Sequence, residues 1–417
     1  MLERNKLRTG NAPESVKIYQ LTEDQTIPSC HVYMEAQVFT PDSKRLVLHR
    51  AGHPHGPCKD DPSHAYILCD LENNGELSPL TLPEEHSSTS TAVSPDGKWF
   101  YYFIDRTEIG SGQLILKRVR LDGTERETLF VLDDTIFGTR FRASRPYPLA
   151  TISADGAKIA LQVFLGDGYT RNCPHGLLVF DLNKGTCSMP LWGSTLCNMH
   201  AQYSRSNAPD RVYDLLIQEN HGYISNAVGE MINIEKDGFV DLHVISDDGC
   251  NVRDLPMGGS ARELCSGHQC WRGDSDWVIS SVISIYGRGL IEEQDFRLLE
   301  ARPVPHQGHL GAKSWWGERN EITGREEDPR FNHFGFDSTG KFILTEDRNF
   351  VSFGRLNDPG CGPSQEWLRL VDTGMRQGFR NKVDSHPFLS PDGKRGFFNS
   401  NESGQLQAYM IDGLDSL

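Results

Sequence analysis

The sequence predicts an all-β fold: a single seven-bladed β-propeller spanning residues 1–417, closed by an N-terminal strand that joins the last blade. Three observations carry this expectation. Seven turn segments recur along the chain, at Pro41-Asp42-Ser43, Pro95-Asp96-Gly97, Ala154-Asp155-Gly156, Arg205-Ser206-Asn207, Gly273-Asp274-Ser275, Ser338-Thr339-Gly340 and Pro391-Asp392-Gly393. Their second positions are separated by 54, 59, 51, 68, 65 and 53 residues. Most turns are followed by two apolar β-rich runs. In four consecutive units a histidine stands six residues before the turn: His200, His268, His333 and His386.

Each element has a local reason. Pro-Asp-Gly is turn chemistry, since Pro presets φ, Asp bonds to the nearby backbone and Gly accepts positive φ. The run after the turn reads as a second strand, as in Trp99-Phe100-Tyr101-Tyr102-Phe103 and Lys341-Phe342-Ile343-Leu344. A further run reads as the third, as in Ala65-Tyr66-Ile67-Leu68 and Leu177-Leu178-Val179-Phe180. Several short strands per unit at this period are the signature of propeller blades. The last unit has room for only three strands before Leu417. The run Val16-Lys17-Ile18-Tyr19-Gln20-Leu21, which precedes the first unit, is expected to supply the missing outer strand.

Composition bounds the partners. The chain is 37% hydrophobic and 24% charged, with a net charge of −15. No apolar run is long enough to cross a bilayer. The acidic balance argues against nucleic acid and against an acidic membrane surface as partners. It leaves room for an anionic substrate in a locally basic pocket. The ten cysteines are scattered without a Cys-x-x-Cys pair, so zinc-ribbon spacing is excluded and buried thiols with one or two disulfides are expected. The N-terminal Met1-Leu2-Glu3-Arg4-Asn5-Lys6 has no signal-peptide character. A cytoplasmic compartment is the expectation for the chain as it stands, and a periplasmic or secreted one if a leader has been removed. The protein is expected to be a monomer.

The first strand of a propeller blade lines the central channel, so one side chain at one phase points towards a common axis. A single buried histidine is more often a hydrogen-bonded core residue than a ligand, but four at one phase predict a functional cluster. The equivalent positions in the first three blades are Ala36, Ser90 and Leu149, which leaves space there for a substrate. Gln202, two residues after His200, should face the same way on its strand. Long insertions at 219–239, 299–331 and 347–365 are expected over the histidine mouth, where binding residues gather. They contain His221, Arg302, His306, Trp315, Trp316, Arg330 and Arg348. Aromatic rings cover sugar faces and guanidinium groups fork onto carboxylates, so these suit an acidic carbohydrate. His53 and His55 have the spacing of a metal pair but read as solvent-facing loop residues.

Here the chain resembles a known family. Gly267-His268-Gln269-Cys270-Trp271, Asn332-His333-Phe334, Met199-His200-Ala201-Gln202-Tyr203-Ser204 and Ser385-His386-Pro387 are similar to motifs of the oligogalacturonate lyases, seven-bladed propellers with a divalent metal in the channel. The resemblance covers blades four to seven. It implies His268 as the catalytic base and His333 and His386 as metal ligands, with manganese or calcium as the cofactor. The family's last blade carries Gln-x-x-His-x-His where this chain has Asn381-Lys382-Val383-Asp384-Ser385-His386, so Asp384 stands in place of one imidazole. The opening stretch Cys30-His31-Val32-Tyr33-Met34-Glu35-Ala36-Gln37, with Leu48-His49-Arg50, resembles propellers that cleave the α-L-rhamnosyl-(1→4)-glucuronate cap of plant arabinogalactan, by elimination or by hydrolysis. That likeness implies a single histidine away from the usual pocket as the hydrolytic residue, with His49 and His31 as candidates.

These readings converge on a lyase acting on a 4-linked uronate in an acidic plant oligosaccharide or polysaccharide. His268 is expected as base, Arg330 as part of the carboxylate clamp, and His333, His386 and Asp384 as cation ligands. His200, Gln202, His221, Arg348 and Trp315 are expected to contact substrate. An α-L-rhamnosidase using His49 or His31, and a non-catalytic glycan-binding propeller, stay open as alternatives.

Overall fold

In four units the turn is locked by one repeated contact. A hydroxyl two residues before the aspartate donates to its carboxylate at 2.6 Å: Thr40 to Asp42, Ser94 to Asp96, Ser153 to Asp155 and Ser390 to Asp392. Glycine then takes the left-handed conformation, with φ of 68° at Gly97, 73° at Gly156 and 71° at Gly393. A side chain at these positions would strain the backbone. The structure, a computed structural model, describes all residues except 53–60, 62, 86–87, 259–262, 285–295, 307–316, 324–328, 330, 348, 363–365 and 376–383.

The turns join the first and second strands of seven antiparallel sheets among the described residues. Blade 1 comprises Ser29–His31, Arg45–Arg50, Ala65–Asp70 and Glu76–Pro79. Blade 2 comprises Ser88–Val93, Trp99–Glu108, Ser111–Arg120 and Glu127–Leu132. Blade 3 comprises Ala150–Ile152, Lys158–Phe164, His175–Asp181 and Thr186–Gly193. Blade 4 begins at Gln202–Tyr203 and continues through Asp214–Ser225, Met231–Ser246 and Arg253–Asp254, with Val304–Pro305 added at its edge. Blade 5 comprises Glu263–Trp271, Val278–Ser284, Phe296–Ala301 and Arg319–Glu321. Blade 6 comprises Phe334–Phe336, Phe342–Asp347, Phe350–Arg355 and Glu366–Asp372. Blade 7 holds Phe388–Leu389, Gly396–Ser400 and Gln407–Asp412. Lys17–Gln20 pairs antiparallel with Gln407–Asp412, Ile18 opposite Ile411, and Leu2–Glu3 pairs outside it.

The core lies between blades rather than inside one of them. Phe103, Ile152, Leu161 and Phe180 pack blade 2 on blade 3, and Leu177, Met199, Tyr203 and Leu215 pack blade 3 on blade 4. Val240, Leu242, Val278 and Leu299 join blades 4 and 5, while Ile279, Leu298, Phe334 and Ile343 join 5 and 6. Leu344, Val351, Phe398 and Ile411 join 6 and 7. Val47, Tyr66, Phe388 and Phe397 then join blade 7 to blade 1, so the ring of packing closes. Inner strands such as Arg45–Arg50, Lys158–Phe164 and Gly396–Ser400 are buried on both faces and read as nearly continuous apolar stretches, whereas outer strands such as Glu76–Pro79 and Thr186–Gly193 are largely exposed.

Three sequence expectations need correction. Residues 219–239 are mostly strand: Asp214–Ser225 and Met231–Ser246 pair as far as Ser225 opposite Met231, a long hairpin that overhangs the blade. Residues 347–365 contain the third strand of blade 6, Phe350–Arg355, whose Phe350 pairs with Asp347. Segment 299–331 supplies an edge strand to blade 4 and the fourth strand of blade 5. No disulfide forms among the described cysteines; nine are free thiols, five of them buried.

Candidate functional site

The phase that carries the histidines has its own backbone signature. His200 and His386 adopt positive φ, 50° and 45°, and Ser90, the equivalent residue of blade 2, has 50°. At His268 the preceding Gly267 takes φ 89°, beside a break in the strand register between Cys265 and Gln269. A left-handed residue just before the channel strand turns the side chain inward instead of leaving it between blades. Non-glycine residues in this conformation concentrate at functional sites.

Three of the histidines meet around Tyr33, and His268 joins them through His333. The Tyr33 ring centroid is 5.6 Å from His200, 6.3 Å from His333 and 5.1 Å from His386. His333 lies 4.2 Å from His268 and 4.2 Å from His386, centroid to centroid. His200, His333 and His386 are buried, whereas His268 stays partly exposed. Ser266 Oγ is 3.4 Å from His268 Nδ1.

The environments differ sharply. Burial, together with the charges of His333 and His200, drives the His268 imidazole well below its usual range, so it is neutral near pH 7. At His333 burial also acts downward, but the Glu346 carboxylate outweighs it and raises the imidazole, with Asp384 and Glu35 adding to the rise. Glu346 Oε1 contacts His333 Nδ1. Its Oε2 accepts from the backbone N–H of Ser385 at 2.9 Å and of His386 at 3.2 Å, and from the Ser385 hydroxyl. One buried carboxylate therefore fixes two histidines on neighbouring blades.

His333, Asp384 and His386 form the one group of three metal-ligating side chains among the described residues whose donor atoms all lie within 4.8 Å of one another. Two imidazoles and one carboxylate suit a first-row divalent ion. Glu346 behind His333 is the outer carboxylate that such a ligand ordinarily has. The donor set fits a cation.

Beside the cluster a cavity of about 520 Å³ opens across blades 1 to 4. Its wall includes Tyr147, Asn198, His64, His175, Arg145 and Asp105. His64 and His175 stand at the start of the third strand in blades 1 and 3, the same mouth as the channel histidines. Val228 to Met231, the tip of the blade 4 hairpin, covers it. Arg145 fastens that tip, donating from Nη1 to the Val228 carbonyl at 2.9 Å and from Nη2 to Glu230 at 3.2 Å. The space expected opposite the histidines is thus there, on the side of the blades that lack them. A second cavity of about 450 Å³ lies at the turn mouth, lined by Glu35, Arg205, Asp274 and Asp337 among others.

Other candidates fall elsewhere. Gln202 is buried; its amide donates to the Gln269 carbonyl at 2.8 Å, tying blade 4 to blade 5, and it borders the turn-mouth cavity. His221 stacks on Phe239 at 4.6 Å, with Nε2 3.4 Å from Glu219, on the outer hairpin. His49 is fully buried, its Nδ1 2.5 Å from the Gly52 carbonyl, and sits 4.4 Å behind His64. His31 is a core residue between Phe388 and Phe397, its Nε2 2.8 Å from the Tyr409 carbonyl, and burial lowers it to about 4. Arg330, Arg348, Trp315, Trp316, His53 and His55 lie outside the described residues.

Tyr33, Glu35, Tyr147 and Glu346 were not legible as site residues. Glu346 stands one residue before the end of a second strand, and Tyr33 follows the first strand of blade 1 at the start of a turn closed by the Ala36 N–H, so neither shares the phase that marks the histidines. His64 and His175 had a usable signal: each opens a third strand at the histidine mouth.

No family model matches the sequence, and no curated protein matches it either. Solved structures do match in fold. An oligogalacturonate lyase in complex with manganese aligns at a TM-score of 0.68 and 16% identity, covering 100% of this chain and 98% of that one. The oligogalacturonate lyase of Vibrio parahaemolyticus aligns at 0.66 and 16% identity, covering 99% and 97%. From end to end, this chain has the seven-bladed propeller fold of the oligogalacturonate lyases.

Proposed function

We propose that the protein is a polysaccharide lyase acting on a 4-linked uronate, and that it cleaves the L-rhamnosyl-α-1,4-glucuronate cap of arabinogalactan by β-elimination. The observation that carries this is His268: a neutral, partly exposed imidazole set against a His-Asp-His group that suits a cation. Taking the proton from C5 leaves negative charge beside a carboxylate, so the site needs a base near pH 7 and a positive partner for the acid. His268 serves as that base. His333, Asp384 and His386 would hold the divalent ion, which supplies Lewis-acid neutralisation of the uronate carboxylate. Arg145, at the cavity wall, acts on the site by holding the hairpin tip over it through Val228 and Glu230.

His268→Ala should lower turnover by about 10²–10⁴-fold while the circular-dichroism spectrum stays unchanged. Equal amounts of rhamnose and an unsaturated uronate, the latter read by its ultraviolet absorbance, are the expected products. Rhamnose without the unsaturated product would overturn elimination. It would favour the hydrolase reading, for which His64 and the carboxylates Asp61 and Asp105 in the same cavity are better placed than His49 or His31. Full activity in His268→Ala would remove the base.

A further inference from the structure

Tyr147 and Glu35 belong to different cavities and are joined by one histidine. Tyr147 is half-buried on the wall of the histidine-mouth cavity. Its hydroxyl donates to Asn198 Oδ1 at 2.7 Å and lies 2.9 Å from His200 Nε2. On the other side of the ring, His200 Nδ1 is 3.1 Å from Glu35 Oε2. Glu35 is 5% exposed, and its Oε1 has no hydrogen-bond partner among the described residues. This carboxylate borders the turn-mouth cavity, where Arg205 Nη2 donates to its backbone carbonyl at 2.9 Å. The chain Tyr147–His200–Glu35 therefore runs through the waist of the propeller and links the two mouths.

We propose that Tyr147 is the acid that protonates the leaving oxygen, and that His200 and Glu35 resupply its proton from the turn-mouth cavity. This rests on the lyase reading above. In the step, the C5–H pair forms the C4=C5 double bond as His268 takes the proton. The C4–O4 bond breaks with its pair on oxygen, and that oxygen receives the Tyr147 proton. The phenolate regains a proton from His200 Nε2, and Nδ1 regains one through Glu35 from water. His268 returns its own proton to solvent, so the cycle balances.

Three features fit this better than a purely structural pin. Backbone contacts hold Tyr147 from both sides, its N–H to the Gln162 carbonyl at 2.9 Å and its carbonyl to Ser90 Oγ at 2.5 Å, so the hydroxyl does not need His200 to stay in place. Burial and then the Glu35 charge keep the phenol well above its ordinary value, so it carries its proton at neutral pH. A packing role also gives no reason for a buried carboxylate oxygen without a partner at the edge of a cavity, because such an atom is costly.

The test compares two substrates: the rhamnosyl-glucuronate disaccharide and a glucuronate with fluorine at C4, whose leaving group requires no proton. Tyr147→Phe should lose about 10²-fold or more in kcat on the disaccharide, with KM little changed, and should keep wild-type turnover of the fluoride. Glu35→Gln retains an oxygen for His200 but cannot pass a proton. It should show the same split to a smaller degree, together with a reduced solvent isotope effect on the disaccharide. Equal losses on both substrates in Tyr147→Phe would overturn the acid role, and wild-type kinetics in Glu35→Gln would overturn the relay. Failure of the wild-type protein to eliminate either substrate would instead overturn the lyase reading on which the proposal stands.

Discussion

Glu346 is the residue on which most of the candidate metal group depends. It touches His333 through one oxygen and holds the backbone and hydroxyl of Ser385, and the N–H of His386, through the other. A carboxylate behind a ligating imidazole sets its tautomer and raises its basicity, and losing it typically costs 10–100-fold in metal affinity. Glu346→Gln should therefore weaken manganese binding by about 10–100-fold, measured by titration calorimetry, with the fold retained. Unchanged affinity would mean that the cation, if held, is not held by His333 and His386. The four histidines could be found from sequence because each sits at a fixed distance from a turn. Their partners could not, because Glu346, Tyr33 and Tyr147 arrive from other strands or loops, at phases set only by how the blades pack.

At the scale of elements, the blade 4 hairpin is the largest departure from the repeat. Its paired strands carry Glu219 and His221, and His243 lies opposite Ile217 where the hairpin also pairs with the fourth strand. His243 Nδ1 is 3.2 Å from Asp254, and its Nε2 lies 3.4 Å from Asp241 and 3.6 Å from Glu219. Burial pushes this imidazole down, but hydrogen bonds to Asp241, Asp254 and Glu219 outweigh it and raise it well above 6.5. Glu219 is correspondingly lowered to about 2 by its bonds to His221 and His243. A raised histidine stabilises the fold fully below its unfolded value, about 6.5, and that stability is lost as pH rises through the folded value. The lowered Glu219 acts in the opposite sense: its share is present above the unfolded value and lost as pH falls towards 2. The wild-type protein should thus lose stability as pH rises above about 6.5, and His243→Asn should flatten that slope in denaturant titrations. A slope identical in the variant would show that His243 is not protonated in the folded state. None of this was visible in the sequence, since 219–239 read as a loop. The run Glu235-Lys236-Asp237-Gly238 breaks the apolar alternation of Met231 to Ile234 from that of Val240 to Val244, so one long strand does not stand out.

For the whole molecule, the repeat was legible because four of the seven units close their turn with the same hydroxyl–aspartate contact and the others keep its spacing. Its spacing alone fixed seven sheets and the direction of the inward phase. What a repeat cannot state is how its first and last units meet. The structure pairs Lys17–Gln20 with Gln407–Asp412, and the N-terminal segment buries Val16, Ile18 and Leu21. Arg4 and Lys6 pair with Glu402, which accepts from Tyr409 at 3.1 Å. Each fully buried aliphatic side chain is worth about 1.5–3 kcal/mol, so these three contacts make the segment a substantial part of the ring's stability. Removing residues 1–24 would expose the edge of Gln407–Asp412 and the apolar face of Ile411 beneath it, an open edge that invites aggregation. The truncated protein should melt at least about 5 °C lower, since about 1 kcal/mol moves Tm by 2–4 °C even in domains of 150–250 residues. It should also aggregate at concentrations where the parent stays monodisperse. Ile18→Asn separates strand packing from mere chain length: it keeps every backbone hydrogen bond but places an amide against Ile411, and should lower Tm in the same direction. If both the truncation and Ile18→Asn melt with the parent, the ring is held by the packing of blades 6, 7 and 1 alone, and the N-terminal strand is only laid against it.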